Sequence, residues 1–257
     1  MSQAIDYLRA LTPAPLRGAV RRFRLDRAFM RGRLDRKEFD AYCAELEGLW
    51  PVIDAAHEGW VRAAGGLEVR GHRASFANLS PLSSKRLYAL LRRLQPEVLV
   101  ETGVCNGVSS AVILHALHAN ERGHLYSVDL PEFAGVLSTE HWEGKGGGVI
   151  PAGKDPGWLV PDDLRDRWDL RIGRSQEVLR PLMQELGRIE FFMHDSEHSY
   201  ECMQFEMTLA EEHLAPGAPL VVDDANWSSA FHDFVRSRGL PSWDLDGGTY
   251  MTEMPSG

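Results

Sequence analysis

The sequence predicts an α/β protein, with a doubly wound, mostly parallel sheet over residues 80–257 and a helical extension over residues 1–79. Two observations carry this. From Pro96 onward, short apolar runs alternate with amphipathic segments at the spacing of strand, crossover helix and next strand. Before residue 80 the apolar residues recur every three or four positions instead, the period of a helix face. A length of 257 residues suits one sizeable α/β domain with an extension.

Taken in order, Ala4 to Leu11 is a short amphipathic segment that ends around Pro13 and Pro15. Phe39, Tyr42, Leu46, Leu49, Ile53 and Ala56 then line one face of a helix running to Trp60, with a break or fresh start at Pro51. A glycine-rich connection follows, then a helix from Ser83 to Leu94 with Ser83 or Ser84 as its cap. The alternating region gives strands at Val98–Val100, His124–Asp129, Leu170–Ile172, Ile189–His194 and Pro219–Val222. Helices fall at Val108–Ala119, Gln176–Leu186, Tyr200–Leu214 and Ser228–Arg238. The tail from Trp243 to Met254 holds one or two final strands. In a parallel sheet of this kind ligands bind at the carboxyl ends of the strands, beside the switch in strand order.

A hydrophobic fraction of 44% and a charged fraction of 25% are ordinary globular values, so a packed core is expected. No run approaches the length needed to span a bilayer, and the first residues lack the apolar core of a secretion signal. Three scattered cysteines (Cys43, Cys105, Cys202) read as reduced thiols of a cytoplasmic protein. The net charge of −9 hides an asymmetry, because residues 1–40 carry ten Arg/Lys against five Asp/Glu. The acidic remainder disfavours nucleic acid as a partner. The basic stretch 17–37 meets either an anionic membrane surface, a partner, or simply solvent.

The first strand runs into Glu101-Thr102-Gly103-Val104-Cys105-Asn106-Gly107-Val108-Ser109. Gly103 permits the sharp turn, and Gly107 is expected to let backbone amides approach a ligand where the helix starts. The pyrophosphate fingerprint G-x-G-x-x-G is not matched, since Cys105 and Val108 stand where it requires glycine. An acid directly before the turn suits a cationic amine better than a phosphate. S-adenosylmethionine carries an ammonium and a sulfonium, so Glu101 fits that cofactor and not NAD. The second strand ends at Asp129, where a carboxylate is placed to accept hydrogen bonds from ribose hydroxyls.

ETGVCNGVSS, LYSVDLP, GWLVPDDLRDRW, HDSEHSYE and the VVDD strand together resemble class I S-adenosylmethionine-dependent methyltransferases of the Methyltransferase-24 type, whose fold is Rossmann-like. The resemblance covers roughly residues 80–240. It implies a cofactor site of Glu101, Gly103, Asn106, Gly107, Ser109, Asp129, Arg174, Ser175 and Asp195. Cys105 departs from the glycine-rich form of the motif and is expected to keep a negative φ.

Asp195 on one strand end and Asp223 and Asp224 on the next converge as three carboxylates, which repel unless a cation or protons intervene. Oxygen ligands suit Mg²⁺, Mn²⁺ or Ca²⁺. The sequence is similar to metal-dependent sugar and aminocoumarin O-methyltransferases, which implies Asp195, Asp223 and Asp224 as ligands of Mg²⁺ and His198 as the general base beside Asp195. An imidazole of ordinary pKa suits that work at neutral pH. The expected reaction is methylation of a small-molecule hydroxyl. The long connection from Pro131 to Trp168, with Gly144–Gly148, His141, Trp142 and Trp158, reads as a lid or as disorder. Two other functions compete. His194 and Asp195 with a distant histidine suggest the ligand set of an iron oxygenase, and a module that binds the cofactor without turnover fits the same turn. The helical extension offers either a homo-oligomer contact or a cover for the acceptor pocket.

Overall fold

A computed structural model describes residues 14–66, 68–69, 72–73, 75–77, 79–131, 133 and 148–256. Its helices are α1 (Ala14–Met30), α2 (Arg36–Leu46), α3 (Trp50–Ala64), α4 (Pro81–Leu94), α5 (Val108–Asn120), α6 (Ser175–Leu186), α7 (Tyr200–His213) and α8 (Ala230–Arg238). A two-stranded hairpin, β1 (Glu68–Val69) and β2 (His72–Arg73), precedes α4. The main sheet comprises β3 (Val98–Thr102), β4 (His124–Asp129), β5 (Trp168–Ile172), β6 (Phe191–His194), β7 (Pro219–Val222), β8 (Trp243–Asp246) and β9 (Thr249–Glu253). Its order is β5-β4-β3-β6-β7-β9-β8; the first five are parallel to one another, and β9 alone runs antiparallel, between β7 and β8. The doubly wound, mostly parallel reading is therefore correct. The order reverses at β3, so the crevice lies between the carboxyl ends of β3 and β6.

Alternation along the strands sorts side chains between two cores. Leu99, Phe191, Met193 and Val221 face a cluster shared with α2 to α5, whereas Val100, Phe192, Leu220 and Val222 face α6 to α8. Helix α5 is apolar nearly all round because it is covered on both sides; Val108 to Leu114 are all buried. The helical extension shares this first core through Phe29, Phe39, Leu46, Leu49, Ile53 and Trp60. The break at Pro51 is real: a 3₁₀ turn at Glu47–Leu49 ends α2's line, and Pro51 stands in the first turn of α3.

Pro15 stands in the first turn of α1, where a proline forfeits no helical hydrogen bond. One predicted boundary moves. Ser80, not Ser83 or Ser84, caps α4: its Oγ accepts the Ser83 N–H at 3.1 Å, and Pro81 takes the first helical position. Ala4 to Leu11 lie outside the described residues.

The charge asymmetry is met within the chain. Arg21 pairs with Asp246 at 2.7 Å and with Asp244, and Arg33 pairs with Glu253 at 2.7 Å, so α1 and the turn after it sit on the acidic β8–β9 hairpin. Beneath them Arg86, wholly buried, binds Asp26 at 2.6 Å and gives its Nη1 to the Leu245 carbonyl. Among the described residues no helix is long and apolar enough to cross a membrane.

Candidate active site

The turn after β3 packs against the end of β6 and against the chain around Gly157. Gly103 has φ +84, and a Cβ there would lie 2.0 Å from the Asp195 carbonyl oxygen, so only glycine lets the end of β6 pack against the turn. Gly107 has φ +97, and its missing Cβ makes room for Gly157 and Val160 of the chain itself rather than for a ligand. Cys105 does not keep the negative φ expected of it. It sits at φ +47, in the left-handed region. The surroundings over-determine it: its carbonyl accepts the Gly157 N–H at 2.8 Å, and Asn106 beside it is fully buried. Asn106 Nδ2 donates to the Phe76 and Val149 carbonyls at 2.8 and 3.1 Å, and its Oδ1 accepts Trp158 Nε1–H at 2.7 Å. Trp60 Nε1 joins the same Val149 carbonyl at 2.7 Å. The second half of the long connection is thus a strap across the turn. Its first half, with His141, Trp142 and Gly144 to Gly147, lies outside the described residues.

Glu101, one residue before the end of β3, is completely buried. Its Oε2 accepts the hydroxyls of Ser110 and Ser127 at 2.6 and 2.9 Å, and its Oε1 has no hydrogen-bond partner. Loss of water lifts its pKa from 4.5 to about 7, against the opposing pull of the Ser109, Ser110 and Ser127 hydroxyls. An acid that is half-satisfied inside a protein is costly unless something else answers it. Asp129 ends β4 and accepts the Val104 N–H at 3.1 Å, which ties the second strand end to the turn. Its carbonyl takes the Gly173 N–H at 2.9 Å, bringing in the end of β5. Arg174 is the N-cap residue of α6, and its Nε is buried with no hydrogen-bond partner.

On the far side of the crevice lie Asp195, His198, Asp223 and Asp224. The sequence reading brought these together, and they are neighbours. Burial, then Asp223, Asp224, Glu101 and Asp129, push Asp195 well above the ordinary carboxylate range. Asp223 is turned toward the Thr249 hydroxyl, and Asp224 has φ +48 with its Oδ2 3.7 Å from His198 Nε2. Burial and the repulsion of Asp223 raise Asp224 to about 6. No group of three His, Cys, Asp or Glu side chains among the described residues is placed to hold a metal ion. His198 is not the ordinary imidazole that was expected: burial lowers its pKa to about 3, so it is neutral throughout the physiological range. Trp227, 46% exposed, flanks its ring at 5.3 Å.

One residue escaped sequence reading. Glu206, in mid-α7, is fully buried and takes His194 Nδ1 at 2.6 Å, Ser196 Oγ at 2.8 Å and Thr102 Oγ1. Ser175 also bonds to it, so this hydroxyl serves the protein network. The only signal was one acid on the apolar face of α7 between Met203 and Met207. His194, fully buried and committed to Glu206, ends a parallel strand, which does not favour the iron-oxygenase reading.

A seven-stranded sheet reversing at β3, an acid before a glycine turn and an acid ending the next strand define the class I S-adenosylmethionine-dependent methyltransferase fold. Residues 100–225 match the Methyltransferase-24 family, described as a methyltransferase domain. No curated protein matches the chain in sequence. Among solved structures, the O-methyltransferase NovP is 14% identical with a TM-score of 0.56, over 82% of this chain and 99% of its own. The O-methyltransferase TomG from Streptomyces achromogenes, involved in tomaymycin synthesis and solved with S-adenosylmethionine, is 17% identical with a TM-score of 0.54, over 82% and 90%. A methyltransferase from Geobacter sulfurreducens, 16% identical with a TM-score of 0.52, matches 98% of this chain and 97% of its own, so its likeness extends over the helical extension.

Proposed function

We propose that this chain transfers the methyl group of S-adenosylmethionine to a hydroxyl oxygen of a small molecule, of sugar or natural-product type. The observation that carries the reading is Glu101, whose buried and unpartnered Oε1 suits the cofactor's cationic amino-acid end. Asp129 would take the ribose, while Gly103, Gly107, Asn106 and Ser109 shape the turn and Arg174, Ser175 and Asp195 close the other strand ends. S-adenosylmethionine supplies an electrophilic methyl group, so the protein's tasks are alignment and removal of the acceptor proton. His198, neutral and beside Asp224, would receive that proton at Nε2, with the Asp224 carboxylate stabilising the charge that appears. The likeness to O-methyltransferases such as NovP and TomG supports oxygen as the acceptor atom.

Divalent-metal assistance is the finer point. The mutual repulsion around Asp195 is of the kind a cation relieves, but Asp223 is held by Thr249 and the three carboxylates form no cage. The described residues as placed do not fit a metal, and removal of the acceptor proton falls to His198. The three cysteines form no disulfide with one another, which suits a reducing cytoplasm. Arg21, Arg33 and Arg36 are engaged by the chain's own acids, which favours an internal role for the basic stretch over a membrane surface.

The test is methyl transfer from labelled S-adenosylmethionine to a panel of glycosides, phenols and amines, with and without EDTA. The proposal expects O-methyl products that persist in EDTA. Products on nitrogen only would overturn the oxygen assignment. Intact cofactor binding with no transfer to any acceptor would favour the binding-module reading, and activity abolished by EDTA and restored by Mg²⁺ would establish the metal.

A further inference from the structure

Two left-handed residues of this chain meet across a glycine. Ala77, before α4, has φ +50, and Cys105, in the turn after β3, has φ +47. A Cβ on Gly148 of the strap would lie 3.0 Å from the Ala77 Cβ and 3.1 Å from the Cys105 Sγ, so three distant segments are close-packed at one point. A non-glycine residue held at positive φ costs conformational energy and persists only where its surroundings over-determine it. The question is what holds the junction.

The fastening runs back to the helical extension. Trp60 of α3 is buried and donates its Nε1–H to the Val149 carbonyl at 2.7 Å, and the same carbonyl accepts Asn106 Nδ2 at 3.1 Å. A carbonyl oxygen has two lone pairs, so Val149 is saturated by one donor from the extension and one from the turn. Asn106 Nδ2 also donates to the Phe76 carbonyl at 2.8 Å, and the Phe76 ring packs edge to face on Trp60 with centroids 6.0 Å apart. The Val149 N–H returns to the Ser75 carbonyl at 3.3 Å. Beyond Val149, the Gly157 and Leu159 amides donate to the Cys105 and Asn106 carbonyls at 2.8 and 3.3 Å. A buried indole N–H needs a partner, and here that partner is the residue next to Gly148. Removing this N–H leaves the Val149 carbonyl with Asn106 alone and weakens the support of a strained Cys105.

We propose that Trp60 is a positioning residue for the cofactor: through Val149 it locks the strap onto the turn after β3 and so keeps that turn in its binding shape. The inference rests on the reading of the turn as the S-adenosylmethionine site. It gives the helical extension a task other than oligomer contact or cover for the acceptor, namely preorganising the turn before the cofactor arrives. Preorganisation raises affinity because the ordering is already complete in the empty protein.

The test pairs calorimetric titration of the full chain by S-adenosylhomocysteine with amide hydrogen exchange of the empty protein. Trp60→Phe keeps an apolar ring and loses the donor. Phe39→Leu thins the same core without reaching the strap and serves as the control for a merely structural role. The proposal expects Trp60→Phe to bind about fivefold more weakly, the loss of one neutral hydrogen bond, and Phe39→Leu to bind within about twofold of wild type. In Trp60→Phe the Gly157 and Leu159 amides should exchange about tenfold faster or more, with the amides of β3 unchanged. Equal affinity of Trp60→Phe and wild type would overturn the proposal, as would equal weakening by Phe39→Leu or unchanged exchange at Gly157 and Leu159. If Trp60→Phe fails to fold, the wild type decides by reciprocity: bound S-adenosylhomocysteine should slow exchange of the Trp60 indole N–H, and an unchanged rate would overturn the proposal. A wild type that binds no S-adenosylhomocysteine would end the cofactor reading, whereas exchange in the empty protein reports the lock on the turn separately.

Discussion

Glu101 should trade stability for cofactor binding, and Glu101→Gln measures the trade. In the unfolded chain the carboxyl ionises near 4.5, and in the folded protein near 7. Below pH 4.5 both states hold the proton and the group contributes no penalty. As pH rises from 4.5 through 7 the unfolded chain releases its proton more readily, and stability falls. At roughly 1.4 kcal/mol per pKa unit, the penalty reaches about 3 kcal/mol at pH 8 and is under about 1 kcal/mol at pH 5. Glutamine cannot ionise, and the cost of its own unpartnered amide does not change with pH. Urea denaturation of both proteins at pH 5 and pH 8 should therefore show the variant gaining about 2 kcal/mol on the wild type between the two values. The same variant should bind S-adenosylmethionine at least about tenfold more weakly, because the charge that meets the cofactor's ammonium is gone. A stability difference that is the same at both pH values would refute the buried-carboxylate argument.

Four further outcomes follow from the geometry. Gly103→Ala should cost at least about 3 kcal/mol in urea denaturation, since the new Cβ meets the Asp195 backbone at 2.0 Å in a left-handed conformation. Asn106→Ala removes two buried hydrogen bonds and a part-buried one and should cost about 2–4 kcal/mol, with weaker S-adenosylhomocysteine binding by calorimetry. Asp26→Ala strands the buried Arg86 and should cost about 3 kcal/mol, most of which Arg86→Met in the same chain restores. Cofactor affinity should rise about tenfold from pH 6 to pH 8, as a Glu101 carboxyl that titrates near 7 becomes ionised, and Glu101→Gln should flatten that profile.

The elements were legible because their determinants are local. Val98 to Val100 and Pro219 to Val222 are short apolar runs between turn signals, and Pro51 marks a helix start wherever it falls in a first turn. Glu101, Gly103 and Asp129 were legible for a different reason: strand ends in a parallel sheet share one crevice, so spacing along the chain becomes proximity in space. What sequence could not give is who answers whom. Asn106 looked like a ligand contact, yet its amide is spent on Phe76, Val149 and Trp158, which lie 30 to 52 positions away. Cys105 at positive φ is tolerated only because that distant strap holds it. His198 read as an ordinary imidazole because burial, which sets its pKa, belongs to the packed helix and not to the motif. Glu206 and the Arg86–Asp26 pair are single charged residues within apolar helical faces, and nothing nearby in the sequence says that they are satisfied.

The central claim is that the ends of β3 and β4 hold S-adenosylmethionine, with Glu101 at its cationic end and Asp129 at its ribose. Calorimetric titration of the intact chain with S-adenosylhomocysteine tests it most directly, with Asp129→Ala run beside it. The account predicts saturable binding at one site per chain, weakened at least about tenfold in Asp129→Ala, the loss expected when a bidentate, charge-assisted pair of hydrogen bonds is removed. Absence of binding by the wild type, or equal binding by Asp129→Ala, would contradict it.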